Sequence, residues 1–301
     1  MRKRFDRVVV FGQIAQDLAV QVGDLPSPDD STTVAELRWL LGGKGANQAV
    51  GLSQLGAEVA AVGVVGDDST GAKLLDLLRR DGIDVCGVSR RGATATLIDV
   101  VDAAARRMLL EHAPSASLLT VEDVDAAAGV AQRAEAVCLQ AQQPGEALTA
   151  AAALAHRNDL IVALDGAPGS ESTDELLAAS DILRADAAET ELLVGFPVNS
   201  MPSGQEACRA LLARGPSVVA VEVAGAGDLV GWRDGTTLRP HDDAEAVRDR
   251  TGAGDAFFVG LVRGLGRGRS VERAADLAAR CAASTVTRLG GRPDLRNLVE
   301  A

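Results

Sequence analysis

The segment Gly42-Gly43-Lys44-Gly45-Ala46-Asn47-Gln48 opens a run of helical period, Ala46 to Leu55, which is followed by an apolar run, Val59 to Val65. Its glycines let the backbone approach a ligand closely, and the start of a helix offers N–H groups without intrahelical partners. The ending is not that of a P-loop, so a ligand-binding loop and a plain flexible loop are both open. Lys44 favours the first, because a chain that nearly always uses arginine places a compact point charge there.

The same order of elements recurs along the chain, since short valine-rich runs alternate with longer runs of alanine and leucine at helical spacing. This alternation predicts βαβ units around a largely parallel sheet, which is an α/β fold. The predicted strands are Val8 to Phe11, Val59 to Val65, Ala136 to Gln140, Leu160 to Asp165 and Val218 to Val223. The predicted helices are Ala46 to Leu55, Gly71 to Arg80, Glu122 to Ala131, Glu146 to His156, Gly204 to Arg214, Gly254 to Leu265 and Val271 to Thr287.

Two regions interrupt the alternation. Residues Val20 to Leu40 and Ala93 to His112 are extended in pattern and have no crossover helix between their strands. We expect them to form a small separate sheet, a lid over approximately residues 14–40 and 93–112. No linker rich in proline or serine divides the chain, so we expect one domain over residues 1–301. The exposed edges of such a lid favour cover by a second copy, which predicts a homodimer through the lid.

A second glycine segment, Asp249-Arg250-Thr251-Gly252-Ala253-Gly254-Asp255, opens the predicted helix Gly254 to Leu265. Successive small residues can form a nest of backbone N–H groups that holds an anion, with the positive end of the helix dipole behind it. A carboxylate beside a bound phosphate is unfavourable unless it takes a proton from the attacking hydroxyl, and Asp255 is placed for that role. An aspartate that only complements the helix dipole is the alternative.

The tetrapeptide of this segment occurs twice, because Gly225-Ala226-Gly227-Asp228 lies between two apolar runs. No helical run follows this copy, so we expect it to turn a hairpin, and we assign Asp228 no catalytic role. The structural context distinguishes the two copies.

Three further acidic residues are candidates for a binding site. Asp17 follows the first predicted strand, and open sheets carry ligand contacts at the carboxyl ends of their strands; an ordinary turn aspartate is the alternative. Asp186 and Glu189 are three residues apart near a helix start and can face one way. They could hold a hydrated Mg²⁺, which needs only one or two carboxylates, or could be ordinary acids of a first helical turn.

Composition excludes several classes of protein. Forty-two acidic residues against thirty basic ones give a net charge of -12, and the chain has five Phe, two Trp and no Tyr. It therefore repels a nucleic-acid backbone and offers few rings for base stacking. No apolar run approaches the length of a membrane span, and Met1 to Asp6 leads directly into a short valine run, so we expect a cytoplasmic protein. The four cysteines form no CxxC pair, so their spacing indicates neither a zinc site nor a disulfide framework. We expect all four to be reduced residues that pack in the interior.

The two glycine segments together resemble the signatures of a known family. Gly42 to Ala57, with the later stretch Val62 to Gly71, resembles the first signature of the ribokinase-like sugar kinases, also called the phosphofructokinase B family. Asp249 to Phe257 resembles the second signature. The segments are about two hundred residues apart and in the family's order, and weaker matches extend over nearly the whole chain, from Leu25 to Gly290.

This resemblance implies a three-layer α/β/α sandwich with a mostly parallel central sheet and a small β lid. It also implies ATP as phosphoryl donor, Mg²⁺, and transfer to a primary hydroxyl of a sugar or nucleoside. By matching positions, Asp255 would be the general base, and the amides of Gly252, Ala253 and Gly254 would be the anion hole.

The same matching implies the remaining site residues. The residues expected to hold the acceptor are Asp17, Gly43, Lys44, Asn47 and Gln142. Those expected near the nucleotide are Asp186, Glu222, Gly225, Gly227 and Thr251. Asp186 and Glu189 would organise Mg²⁺, while Asp249 with the carbonyls of Thr251 and Arg288 would hold a monovalent cation such as K⁺.

The chain departs from the family pattern at several positions. Ala15 replaces an asparagine and Gln142 a glutamate that ribokinases use toward the sugar, so ribose itself is in doubt. Asp186 replaces an asparagine, and Glu222-Val223-Ala224 replaces a Thr-x-Gly pattern. Two alternatives to a sugar kinase are a nucleoside kinase of the same family and a catalytically weak regulator that binds sugar or nucleotide.

Overall fold

The computed structural model describes residues 4–169, 171–241 and 247–298. The basic start at residues 1–3 therefore lies outside the described residues. Within these ranges the strands are β1 Arg7–Phe11, β2 Ala15–Val22, β3 Val34–Gly42, β4 Glu58–Val65, β5 Asp84–Arg90, β6 Ala95–Val101, β7 Arg107–His112, β8 Ala136–Gln140, β9 Ile161–Asp165, β10 Ile182–Ala185, β11 Val218–Val223, β12 Gly227–Trp232 and β13 Gly235–Arg239. The α-helices are α1 Lys44–Gln54, α2 Ser69–Arg80, α3 Val121–Ala126, α4 Ala128–Ala131, α5 Gly145–Arg157, α6 Thr173–Ala179, α7 Ala187–Val194, α8 Met201–Leu212, α9 Ala253–Gly266 and α10 Val271–Thr285.

The central sheet confirms the predicted α/β fold. Over the described residues it has nine strands in the order β13-β12-β11-β10-β9-β8-β1-β4-β5. Strand β1 lies inside the sheet and pairs in parallel with both β4 and β8. Among these nine strands, β12 is the one that runs opposite to the others, because it pairs antiparallel with both β11 and β13. The turn between β11 and β12 contains Gly225-Ala226-Gly227, where we expected a hairpin. The carboxyl ends of β8, β9 and β10 consequently meet at one edge.

Helices cover both faces of this sheet, which makes the predicted three-layer sandwich. One apolar core lies between the sheet and α1, α2, α9 and α10. The other lies between the opposite face and α3, α4, α5, α6, α7 and α8. Alternate side chains of each strand enter alternate cores, as the period of an extended strand requires. Helices α9 and α1 pack on the same face, and this packing brings the two glycine segments together.

A second, four-stranded sheet has the order β3-β2-β6-β7. Its strands lie within the two segments expected to form a lid, and we call it the lid sheet. Its inner face contributes Ala19 and Val101 to a small core with Leu289.

Two local expectations are wrong. The helix predicted over Glu122 to Ala131 is broken at Ala127 into the two short helices α3 and α4. Cys86 is exposed on the edge strand β5 and is not a packing residue, whereas the other three cysteines are buried. Strands β5 and β13 were missed because their side chains are partly exposed at the two edges of the sheet. None of the helices in the described ranges has the length and apolar character to cross a membrane.

Candidate active site

The entrance of α9 is built around glycine. Gly252 caps the helix in the left-handed region, with φ of 75°. A Cβ on this residue would lie 2.2 Å from the carbonyl oxygen of Gly291, so only glycine fits. The amides of Gly252 and Gly254 have no hydrogen-bond partner among the described residues, while that of Ala253 donates to the Arg250 carbonyl at 3.3 Å. Free N–H groups at the positive end of a 14-residue helix favour an anion.

Asp255 lies in the first turn of α9 and is held by the other glycine segment. Its Oδ2 accepts a hydrogen bond from Asn47 Nδ2 at 3.1 Å, and its Oδ1 accepts one from Gln48 Nε2 at 3.2 Å. Burial raises the pKa of this carboxyl, and Lys44, Asn47 and Gln48 oppose that rise. A buried carboxylate with fixed orientation is suited to accept a proton.

Three neighbouring strands of the central sheet carry a buried polar residue at or near their carboxyl ends, on the same side of the sheet as Asp255. Gln140 and Asp165 end β8 and β9, and Arg184 is near the end of β10; the three are adjacent in register. Their side chains point to the same face as α1 and α9. Gln48 Nε2 also donates to Asp165 Oδ2 at 2.9 Å, and Arg184 Nη1 to Asp165 Oδ1 at 3.3 Å. Gln48 thus bridges two buried carboxylates.

Lys44 begins α1 and lies among carboxylates. Its Nζ is 3.3 Å from Glu189 Oε1. Burial alone would lower the pKa of Lys44, but the carboxylates of Asp165, Glu189 and Asp255 raise it above its ordinary value. Lys44 is therefore a permanent positive charge beside the entrance of α9.

Asp186 and Glu189 face each other, although they do so in a capping box at the start of α7. Asp186 Oδ1 accepts from the Glu189 amide at 2.8 Å, and Glu189 Oε2 accepts from the Asp186 amide at 2.9 Å. Glu189 Oε1 pairs with Lys44, so among the described residues Asp186 Oδ2 is the carboxylate oxygen of this pair without a hydrogen-bond partner. The described residues contain no group of three or more side chains arranged to hold a metal, so any ion here would keep most of its water.

Asp17 lies on β2 of the lid sheet and is buried. Its carboxyl occupies the space that a Cβ on Gly42 would need, at 1.9 Å from Cγ. Burial, followed by the charges of Asp99 and Asp255, raises the pKa of Asp17 to about 7. In the part of the chain that the structure describes, neither Asp17 Oδ1 nor Asn47 Oδ1 has a hydrogen-bond partner. These two buried oxygens can therefore accept hydrogen bonds from a ligand.

The second glycine segment is fastened by Asp249, which is fully buried. Its Oδ1 accepts from the amide and hydroxyl of Thr251, and its Oδ2 accepts from the Gly290 amide at 2.7 Å. Arg288 is exposed and pairs with Asp294. Asp249 thus ties the entrance of α9 to the chain segment that includes Arg288.

Asp99 connects the lid sheet to this segment. It lies on the inner face of β6 and is buried, and its carboxyl contacts the hydroxyl of Thr251 and the guanidinium of Arg107. Sequence reasoning missed this residue. The available signal was an acidic residue at an inward position of an otherwise apolar strand face.

The other predicted residues are farther from this cluster. Gln142 is exposed in the turn after β8, where its neighbour Gln143 is buried instead. Glu222 is the penultimate residue of β11, and Gly225 and Gly227 turn the hairpin into β12. A Cβ on Gly227 would lie 2.2 Å from the Arg239 carbonyl oxygen, so packing within the sheet is sufficient reason for that glycine. Asp228 pairs with His241 at 3.0 Å.

Comparison with known proteins agrees with this architecture. The model of the pfkB family of carbohydrate kinases matches residues 6–298. The ribokinase of Haemophilus influenzae is 28% identical over 96% of this chain and 94% of its own, and an ATP-dependent ribose-1-phosphate kinase of Halopiger xanaduensis is 30% identical over 95% and 94%. The crystal structure of Thermotoga maritima ribokinase, 25% identical, superposes with a TM-score of 0.81 over 98% of both chains.

The fold and the match over almost the whole length define the class of protein: the chain belongs to the pfkB family of carbohydrate kinases. More narrowly, it is a ribokinase-like sugar kinase, a phosphotransferase with an alcohol group as acceptor.

Proposed function

We propose that this protein transfers the terminal phosphoryl group of ATP to a primary hydroxyl of a sugar, with Asp255 as general base and the Gly252–Gly254 amides as anion hole. The supporting observation is that a buried carboxylate, held by Asn47 and Gln48, lies in the first turn of a helix at whose start the amides of Gly252 and Gly254 have no partner among the described residues. The names of the relatives, ribokinase and ATP-dependent ribose-1-phosphate kinase, favour the same reaction.

In this mechanism the acceptor hydroxyl lies beside Asp255 and gives its proton to the carboxylate as the oxygen attacks. A raised pKa makes the carboxylate a better proton acceptor, while Lys44, Asn47 and Gln48 oppose the rise, and the two amide side chains orient the carboxylate. The free amides of Gly252 and Gly254 donate to the phosphoryl oxygens on which charge accumulates.

The acceptor would be bound by Asp17, Gly43, Lys44 and Asn47. The partnerless oxygens of Asp17 and Asn47 fit a ligand with several hydroxyl donors, which is the chemistry of a sugar. We keep Gln142 as a more distant contact, because its side chain is exposed.

ATP would approach along the carboxyl edge of the sheet, between Asp186, Glu222, Gly225, Gly227 and Thr251. The free Oδ2 of Asp186, with Glu189 beside it, fits a Mg²⁺ ion held mostly through water. Such an ion would neutralise charge on the phosphates.

A monovalent cation, K⁺, fits beside Asp249. This carboxylate is fully buried and, within the described ranges, no Lys, Arg or His side chain pairs with it. Carbonyl oxygens of Thr251 and Arg288 would complete the site. We propose that K⁺ lowers the cost of this buried charge and so steadies the loop before α9.

A coupled ADP-release assay tests the proposal. It should be run over pentoses, hexoses, their monophosphates and nucleosides, with Mg²⁺ and with or without K⁺. We expect turnover with at least one sugar or sugar phosphate; turnover with nucleosides alone would identify a nucleoside kinase. Ligand-induced thermal stabilisation with no ADP release from any acceptor would indicate a regulator.

We also propose a homodimer through the outer face of the lid sheet. Two in-register rows of apolar side chains cross all four strands there: Trp39, Leu18, Ile98 and Leu110 in one, and Leu37, Val20, Val100 and Met108 in the other. Trp39 and Leu110 are more than half exposed. Contiguous apolar surface of this kind marks an interaction site, and a second copy is the simplest occupant. The cytoplasmic location stays a prediction.

A further inference from the structure

Arg184 lies against the backbone of Gly254, the second residue of α9. A Cβ on Gly254 would be 2.6 Å from Arg184 Nη2 and 2.7 Å from Cζ. The guanidinium therefore fills the space beside the glycine, and it comes from the strand that leads directly into α7. This places it between the starts of α7 and α9, where two helix dipoles present their positive ends.

Most donors of this guanidinium are unused. Nη1 donates to Asp165 Oδ1 at 3.3 Å and is 3.9 Å from Glu189 Oε2. Nε is buried without a hydrogen-bond partner, and in the described ranges the hydrogen bond of this side chain comes from Nη1 and not from Nη2. The residue is only 7% exposed and its Nε atom is buried, so water does not readily satisfy Nε.

Another buried arginine shows that free donors are not a general property of this fold. Arg263 lies on α9 and is 4% exposed. Its Nε, Nη1 and Nη2 donate to the carbonyls of Leu55, Phe5 and Gly56, and Nη1 also pairs with Asp6. A structural arginine in this chain thus has all its nitrogens satisfied, and Arg184 does not.

We propose that Arg184 is a phosphate-binding residue, whose free Nε and Nη2 groups donate to an oxygen of the nucleotide phosphates seated on the amides of Gly252 and Gly254. The assignment deepens the proposed function and rests on it, because it requires a phosphate at the entrance of α9. A guanidinium suits this position because its planar fork matches two phosphate oxygens at once. Asp165 and Glu189 hold the fork in place from the other side.

The test compares Arg184→Gln and Arg184→Lys with Arg263→Lys, a change at an equally buried arginine with satisfied donors. Thermal stabilisation by ATP, by inorganic pyrophosphate and by adenosine is measured for each variant, together with kcat and the KM of the best acceptor. We expect Arg184→Gln to lose the stabilisation by ATP and pyrophosphate beyond that given by adenosine, and to lower kcat by about 10² to 10³-fold. The acceptor KM should change by less than about threefold, since only phosphate binding is altered. Arg263→Lys should lower the melting temperature while leaving the ATP-induced shift as in the unchanged protein.

If Arg184→Gln does not fold, Arg184→Lys keeps the positive charge and should still lower kcat about tenfold, because the bidentate fork is lost. Unchanged ATP stabilisation and kcat in the Arg184 variants would overturn the proposal, as would equal losses of ATP and acceptor binding. No turnover with any acceptor, but normal ATP stabilisation of the unchanged protein, would refute the kinase proposal and leave the Arg184 comparison intact. A protein that neither ATP nor pyrophosphate stabilises would refute both.

Discussion

Asn47 Nδ2 donates a hydrogen bond to Asp255 Oδ2 at 3.1 Å, although 208 positions separate the two residues. The contact exists because α1 and α9 pack side by side on one face of the central sheet. It joins the two glycine segments into one site, in which the first orients the carboxylate that the second supplies.

Replacement of the proposed base should abolish most turnover without unfolding the protein. We expect Asp255→Asn to lower kcat by about 10² to 10⁴-fold, because the amide cannot accept the hydroxyl proton. Asp125→Asn is the control, since Asp125 is an exposed aspartate on α3 and is not part of the proposed site. Rates are measured by ADP release and folding by circular dichroism. Near-normal activity of Asp255→Asn would exclude the base assignment.

Addition of a methyl group at Gly254 should disturb the phosphate site. Gly254→Ala places a Cβ against the Arg184 guanidinium, so we expect kcat to fall by about 10²-fold and the free energy of unfolding by about 1 to 3 kcal/mol. Gly129→Ala is the control, because its Cβ meets nothing within 4 Å. Helix propensity should make that change neutral or stabilising by up to about 1 kcal/mol. Chemical denaturation and initial rates give both quantities; equal activity of the two variants would contradict the packing described.

Asp17 should make stability depend on pH. Its pKa is 3.8 in the unfolded reference and about 7 in the folded protein, so the folded state binds more protons between these values. The free energy of unfolding should therefore fall as pH rises through this window and level off above it. Asp17→Asn should remove this pH-dependent part of the free energy of unfolding. The increase in melting temperature of the variant over the unchanged protein should therefore be larger at pH 8 than at pH 4. A constant difference between variant and unchanged protein would show that the pKa of Asp17 is ordinary.

Ionisation of the Asp17 carboxyl should also affect how tightly the acceptor binds. The carboxylate accepts hydrogen bonds from hydroxyls better than the neutral acid does, so acceptor KM should decrease as pH rises toward about 7. Initial rates at saturating ATP between pH 5.5 and 8.5 measure this. A KM that is independent of pH in this range would argue that Asp17 does not contact the acceptor.

Asp99 should couple the lid sheet to the proposed anion hole. Asp99→Asn weakens its contacts with Thr251 and Arg107, and we expect kcat to fall about tenfold or more, because small displacements at a reacting centre are costly. Thr251→Val removes the other partner. In a double-mutant cycle the two losses should be less than additive. Independent, additive effects would mean that the contact carries no coupling.

The outer face of the lid sheet should hold the dimer together. Trp39→Glu places a charge at the β3 end of one apolar row and should give monomers with an unchanged fold. Leu192→Glu is the control, because Leu192 is 80% exposed on α7 and not part of the lid sheet. Light scattering over a range of concentrations measures both. A monomeric unchanged protein at every concentration would remove the proposal.

The sequence predicted the elements whose signals are local. The glycine segments precede helices α1 and α9, and their spacing and order resemble one family, so Asp255 and the loop before it were found directly. The contacts of Gln48, Asp165 and Arg184 were not predicted, because they depend on the register of β9 and β10 and on the approach of α1. The ion pair between Glu189 and Lys44 was not predicted either, because the two residues are far apart in the sequence.

The place of β1 inside the sheet bears on how the chain is made. Val8 cannot complete its pairing until Ala136 has left the ribosome, and Asn47 has no carboxylate to orient until Asp255 follows. A nascent chain is therefore chemically inert through most of its synthesis and carries an unfinished apolar face that chaperones can recognise. Premature termination before residue 252 should yield polypeptides that lack phosphoryl transfer altogether, however much of the sheet they manage to assemble.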